Sequence, residues 1–335
     1  MIIIRKECFA RAGLLGNPSD GYNGKTISVI ARNFGAEVVL YEWECLDIVL
    51  AEDDRAHFQS IFDLARDVEF HGYYGGIRLI KATIKRFVEY CQSNRLKLHK
   101  RNFSIRYRTT VPRQVGLAGS SSIIGATLRC LMEYYHIEIP RQVQPSLVLS
   151  VEKEELGIEA GLQDRVIQVY EGLVYMDFSK ALERTIRGFS CYNYEPLDLN
   201  LLPPLYIACH SVLSEPTEVF HDDLRSRFTC GEIKVVNAMN HLAKLAELGR
   251  DALLNHNFKG LGNLINENFD TRRSICNLPG WQVEMVETAR RCGATAHFAG
   301  SGGAIVGTYT GEPMLERLCK ELTAIGSNVQ KLQVA

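Results

Sequence analysis

Gly116, Gly119 and three consecutive serines follow a proline in PRQVGLAGSSSIIGA (112–126), and these residue types in this order suit an anion site. Gly116 and Gly119 let the backbone turn tightly or approach a ligand, and Ser120, Ser121 and Ser122 set hydroxyls beside unpaired amides. A helix follows, because Ile123, Ile124, Thr127, Leu128, Leu131 and Tyr135 recur at three- and four-residue spacing. Its first-turn N–H groups and positive dipole end make phosphate the natural guest. A serine N-cap after a glycine turn gives the same letters on any helix, so the loop alone does not decide. No lysine follows Gly119, which excludes the G-x-x-x-x-G-K-[ST] nucleotide loop.

Three other segments carry chemistry-bearing residues. RAGLLGNPSDGYNGK (11–25) has the composition of a long turn, yet it gathers Arg11, Asn17, Asp20, Tyr22 and Lys25. VEKEELGIEAGLQDRVIQ (151–168) holds Glu152, Glu154, Glu155, Glu159 and Asp164 around a glycine bend. Glu154, Glu155 and Glu159 read as a solvated face. Asp164 differs, because it opens the apolar segment RVIQVY and is expected to be partly buried. GATAHFAGSGGAIVG (293–307) reads as strand, glycine loop and strand, a second place where backbone can approach a ligand.

These loops need elements to hold them. Residues 26–41 are rich in β-branched residues around Asn33 to Gly35 and read as a hairpin; 76–91 reads as a helix and 102–109 as a half-buried strand. Further helices are expected over 142–155, 232–255, 258–270 and 281–292, strands over 172–178 and 203–209, and a loop-rich stretch near 180–202. After the 293–307 segment come a short helix and a last strand, NVQKLQV. Hairpins and helices without regular βαβ alternation argue for an α+β protein. At 335 residues the chain is long enough for two domains, with boundaries expected at 1–188 and 189–335.

Composition narrows the function. A formal net charge of -1 with interspersed signs speaks against a nucleic-acid partner or a membrane surface and favours a small-molecule partner. Ten singly scattered cysteines, with no C-x-x-C pair, read as reduced thiols. The opening apolar run is too short for a signal peptide and no segment has the length of a membrane helix, so a cytoplasmic protein is expected.

The order of the four segments resembles the GHMP sugar and isoprenoid kinases, over nearly the whole chain. The matching features are the R-x-x-L-x-G-N-x-x-D loop, a P-x-x-x-G-L-x-x-S-S loop before a helix, an E-x(11)-D segment and a C-terminal G-S-G-G loop. Within that superfamily LLGNPSD, VPRQVGLAGSSSI, AGLQDRVIQVYEGLVYMDFSK, NENFDTRR and FAGSGGAIV are most similar to the glucuronokinases, which phosphorylate the anomeric hydroxyl of D-glucuronate. The resemblance implies a two-domain fold, with a ribosomal protein S5 domain 2-like N-terminal domain and a ferredoxin-like C-terminal domain. It implies ATP and Mg²⁺ as cofactors and a uronic acid as the acceptor.

The same resemblance implies roles by position. Pro112, Gly116, Leu117, Ala118, Gly119, Ser120, Ser121 and Ser122 would cradle the ATP phosphates. Glu152 with Ser121, or Ser120 in a loop one residue longer than usual, would hold magnesium. Asp164 would take or orient the proton of the acceptor hydroxyl beside Arg11. Asn17, Asp20 and Tyr22 would contact the sugar, and Gly300, Ser301, Gly302 and Gly303 would close the pocket. For the sugar carboxylate, Arg272 and Arg273 are the first candidates, because a guanidinium fork matches a carboxylate, with Arg225 and Arg227 second; a solvent-facing pair at a helix end would look the same. A kinase for galactose, arabinose or mevalonate, an inactive sugar sensor, and a decarboxylase on the same loops are the competing readings. The presence of both Glu152 and Asp164 favours an enzyme over a sensor.

Overall fold

A computed structural model describes residues 2–49, 75–210 and 224–335. The N-terminal half is built on two long antiparallel strands, β1 (Ile3–Leu15) and β2 (Lys25–Trp43). With β3 (Asp47–Ile48), β4 (Asn102–Thr109), β5 (Leu173–Asp177) and β8 (Asn193–Leu197) they form a six-stranded sheet in the order β3-β4-β2-β5-β8, with β1 also paired to β2. β6 (Arg184–Ile186) and β7 (Phe189–Cys191) make a separate small hairpin. The expected hairpin over 26–41 is therefore absent: the chain runs straight through as β2. Asn33 and its neighbours instead form a wide bulge, since Phe9 faces Gly35 while Ala10 faces Ala31. Arg32 from this bulge stacks over Phe9 at 4.5 Å, and Asn33 Nδ2 donates to Gln330 Oε1 and to the Lys331 carbonyl, each at 2.9 Å. Turn-type residues here dock the last strand rather than reverse the chain.

Helices α1 (Gly76–Ser93), α2 (Gly119–Tyr135), α3 (Gln144–Ser150) and α4 (Gln163–Tyr170) lie with this sheet. The expected helix over 142–155 is α only as far as Ser150, and widens into a π-turn at Val151–Glu155. Val38, Leu40, Ile80, Phe87, Ile124, Leu128 and Leu131 pack one apolar cluster between α1, α2 and the sheet. The second half carries a four-stranded sheet, β10-β11-β9-β12, from β9 (Leu205–His210), β10 (His297–Phe298), β11 (Ala304–Thr308) and β12 (Ser327–Lys331), all antiparallel. Helices α5 (Ile233–Leu254), α6 (Phe258–Ile275), α7 (Gly280–Arg291) and α8 (Gly311–Ala324) belong with it. A continuous core joins the halves: Leu14, Leu15 and Ile27 share one cluster with Leu242, Leu245 and Ile265. All ten cysteines are free, and no helix among the described residues is long and apolar enough to cross a membrane.

Candidate active site

A cavity of about 290 Å³ opens where the four segments meet, lined by Arg11, Asn17, Asp20, Tyr22, the 111–120 loop, Glu152, Asp164, Arg165 and Ser301 among others. Its floor is the glycine loop before α2. Gly116 (φ 70°) and Ala118 (φ 62°) both take the left-handed conformation, which turns the chain sharply so that α2 starts at Gly119 facing the cavity. Leu117 is buried and anchors the loop. The three serines then diverge. Ser120 faces the cavity and donates to Glu152 Oε1 at 2.6 Å, whereas Ser121 and Ser122 are fully buried and turn their hydroxyls to the Ala118 and Gly119 carbonyls. The structure thus brings Ser120, rather than Ser121, to Glu152.

Glu152 sits on the π-turn, fully buried, and its other oxygen receives both Nε and Nη2 of Arg165. Arg165 also reaches Asp164 Oδ2 at 3.1 Å. Burial works against the Arg165 charge, but Glu152 and Asp164 outweigh it and its pKa is raised. Asp164, in the first turn of α4, is gripped from its other side by Arg11. The guanidinium forks onto the carboxylate through Nε at 2.6 Å and Nη2 at 2.8 Å. Arg11 Nη1 donates to the carbonyls of Gly116 at 2.6 Å and Ala299 at 3.0 Å. One buried arginine therefore ties Asp164, the phosphate-type loop and the C-terminal glycine loop together. The two glycine loops touch: a Cβ on Gly300 would lie 1.9 Å from the Gly116 carbonyl oxygen, and one on Gly116 within 2.8 Å of the Ser301 amide. Gly302 and Gly303 follow at φ 152° and 81°, with Gly303 against Val115.

The far end of the cavity is the 16–22 loop. Gly16 N–H donates to Asn268 Oδ1 at 2.7 Å, and the Asn17 carbonyl accepts from Asn268 Nδ2 at 3.3 Å. Asp20 Oδ2 accepts the Gln163 backbone N–H at 3.2 Å. Burial, helped by the neighbouring Asp164, pushes the Asp20 carboxyl up from 3.8 to about 6. Tyr22 packs on Phe228 with ring centroids 4.7 Å apart, and burial pushes its hydroxyl up to about 12 against the opposing charge of Arg225.

The arginine candidates separate sharply. Arg272 is only 1% exposed and is absent from the cavity lining; it donates to the Gly300 and Ser301 carbonyls, both at 2.6 Å, above the Phe298 ring. Burial lowers it to about 10, so it remains a cation at neutral pH. Arg273 points outward to Glu287 at 2.8 Å, and Arg227 pairs with Glu232. Arg225 lines the cavity, 45% exposed, on Glu159 at 2.5 Å. Arg165 and Gln163 are further residues of the site that the sequence did not single out. The only local signal was their place on either side of Asp164.

Residues 78–172 match the model for the GHMP kinases N terminal domain. Glucuronokinase 1 of Arabidopsis thaliana is 44% identical over 340 residues, covering 99% of this chain and 92% of that protein. Probable glucuronokinase 2 of the same plant is 45% identical over 314 residues, covering 91% and 84%. The fold is that of Lactococcus lactis galactokinase complexed with galactose (TM-score 0.76, 17% identity, 99% and 93% covered) and of Methanococcus jannaschii mevalonate kinase (TM-score 0.72, 17% identity, 100% and 98% covered). Near-complete coverage at such identity, on a two-domain fold with the glycine loops, acid and arginine gathered in one cleft, places the chain in the GHMP kinase family, among the glucuronokinases.

Proposed function

We propose that the protein transfers the γ-phosphoryl group of ATP to the anomeric hydroxyl of D-glucuronate, giving D-glucuronate 1-phosphate and ADP. The observation that carries this reading is the Arg11–Asp164 fork at the junction of the two glycine loops. Phosphoryl transfer asks for little covalent chemistry and much positioning, and this junction puts an acid and a cation where donor and acceptor would meet. The amides of Gly119 and Ser120 open α2 toward the donor phosphates. Asp164 orients the acceptor hydroxyl and takes its proton once transfer has made that proton acidic. Arg11 fixes the carboxylate and sets a positive charge beside the transferring group.

Ser120 Oγ and Glu152 Oε1, 2.6 Å apart, are two hard oxygens of the kind a magnesium ion takes. At a metal–oxygen distance of about 2.1 Å, adjacent octahedral ligands sit about 3.0 Å apart, so the pair fits with small movement. Magnesium held there would neutralise charge on the ATP phosphates. Arg165 keeps Glu152 aimed at that position.

Asn17 and Asp20 hydrogen-bond the sugar hydroxyls. Arg225 reads the substrate carboxylate, since it is the one of the four expected arginines that lines the cavity, and it already holds a carboxylate from Glu159. The test is an ADP-release assay with D-glucuronate, D-galacturonate, D-glucose, D-galactose, L-arabinose and mevalonate. Turnover led by D-glucuronate is expected; an equal or higher specificity constant for a neutral sugar or mevalonate would overturn the assignment.

A further inference from the structure

Gln163 is the most conspicuous unpaired group in the site. It is 1% exposed, and neither Oε1 nor Nε2 has a hydrogen-bond partner among the described residues. A buried amide left in that state is costly, and a sequence that keeps it beside Asp164 needs a reason. Its surroundings give one. Gln163 belongs to the cavity lining, its backbone N–H is held by Asp20, and its amide lies against Gly13. A Cβ on Gly13 would be 2.8 Å from Gln163 Nε2 and 3.4 Å from Asn17 Nδ2, so the two amides lie beside the same glycine. The Asn17 side chain likewise makes no hydrogen bond among the described residues, and only the Oδ2 atom of Asp20 does. Asn17, Asp20 and Gln163 thus line one cavity with donor and acceptor capacity to spare.

We infer that the Gln163 side chain reads a hydroxyl of the acceptor sugar, completing with Asn17 and Asp20 a corner that binds adjacent hydroxyls. This rests on the sugar-kinase reading above and adds a specificity residue to it. An amide offers one donor and one acceptor edge, and a hydroxyl can use both at once, which an apolar acceptor cannot. The arrangement discriminates by leaving the amide unpaired when the hydroxyl is missing.

The test is Gln163→Met, close in shape and without polar atoms, with Gln163→Leu as a second variant; neither touches the backbone N–H that Asp20 holds. The acceptor KM is expected to rise about 10- to 100-fold, the loss of one or two neutral hydrogen bonds in a dry site. The KM for ATP should stay within twofold, and the melting temperature of the sugar-free enzyme should equal or exceed that of wild type, because two unpartnered polar atoms are gone. A group that merely supported the fold would lower the melting temperature and harm both substrates together. Singly deoxygenated D-glucuronates provide the cycle: one of them should lose the same factor in wild type, and no further activity in the Gln163→Met variant. An unchanged acceptor KM, a parallel rise in the KM for ATP, or fully additive losses across all analogues would overturn the inference. Should wild type prefer another acceptor, the substrate reading fails separately, and the same comparison is made on the acceptor it does phosphorylate.

Discussion

Asp20 stands in the fold at an energetic cost, and removing its charge should make the resting enzyme more stable. Burial and the neighbouring Asp164 raise its pKa from 3.8 to about 6, although the Gln163 N–H, Arg11 and Arg165 pull the other way. A carboxyl raised in the folded state binds its proton more tightly there than in the unfolded chain. Its stabilising share is therefore complete below pH 4 and is lost as pH rises through 6. At 1.36 kcal/mol per pKa unit, ionised Asp20 costs the fold about 3 kcal/mol at pH 8 and about half that at pH 5. Asn keeps an acceptor oxygen for the Gln163 N–H and drops the charge. With an unfolding entropy near 2.1 cal/mol/K per residue, Asp20→Asn should raise the melting temperature by about 4 °C at pH 8 and about 2 °C at pH 5. The same variant should bind acceptor poorly, because a hydroxyl donating to the carboxylate offsets the penalty only when sugar is present. Scanning calorimetry at the two pH values, with acceptor KM measured alongside, checks both halves. A variant no more stable than wild type at pH 8, or one whose gain does not shrink at pH 5, refutes the reasoning.

Asp164→Asn should leave ATP affinity nearly unchanged and lower kcat by about 10²-fold or more, as loss of a positioned proton acceptor does; turnover within a few-fold of wild type removes it from the chemistry. Glu152→Gln should raise the magnesium concentration for half-maximal rate with little change in acceptor KM, and overlaying magnesium titrations would move the metal elsewhere. Arg225→Ala should lower kcat/KM for D-glucuronate by about 30-fold or more while sparing activity on D-glucose, so the preference between them collapses. Arg272→Ala should instead destabilise the protein by about 2–4 kcal/mol, leaving two buried carbonyls without their donor, and depress every acceptor alike, which denaturation and the same sugar panel will separate.

Much of this site was readable because its grammar is local. A glycine turn running into serines and an amphipathic stretch defines the start of α2 whatever surrounds it, and an acid at the head of an apolar run defines Asp164. What failed depended on distant partners. Asn33 to Gly35 have turn chemistry, but whether they reverse the chain or bulge from a strand is decided by what β1 and the C-terminal strand pair with. β8 reads as loop because NYEPL contains a proline, a residue that only a sheet edge tolerates, and the edge is where it lies. Ser120 and Ser121 are the same letter, and the phase of a helix whose first residue shifts by one decides which faces the cavity. Gln163 carries only its place beside Asp164 as a signal until its burial and missing partners are seen together.

The two arginines of α6 show what periodicity can still supply. Leu261, Ile265, Asn268, Arg272 and Ile275 recur at spacings of three and four, so Arg272 belongs to the inward stripe of α6 and Arg273 does not. A charge on that stripe must find its partners within the protein, which suits a strut better than a ligand-binding group. Asn268, one turn earlier on the same stripe, pins Gly16 and Asn17, while Arg272 pins Gly300 and Ser301. One helix face thus fixes the loop that bears Asn17 and Asp20 and the glycine loop that rests on Gly116. Arg11 joins the same two regions from the other side, through Ala299 and Gly116. The polar residues on the buried face of α6 act by holding two loops at one separation. On the proposed function, substrate discrimination falls to residues that line the cavity, Arg225 and Gln163 foremost among them.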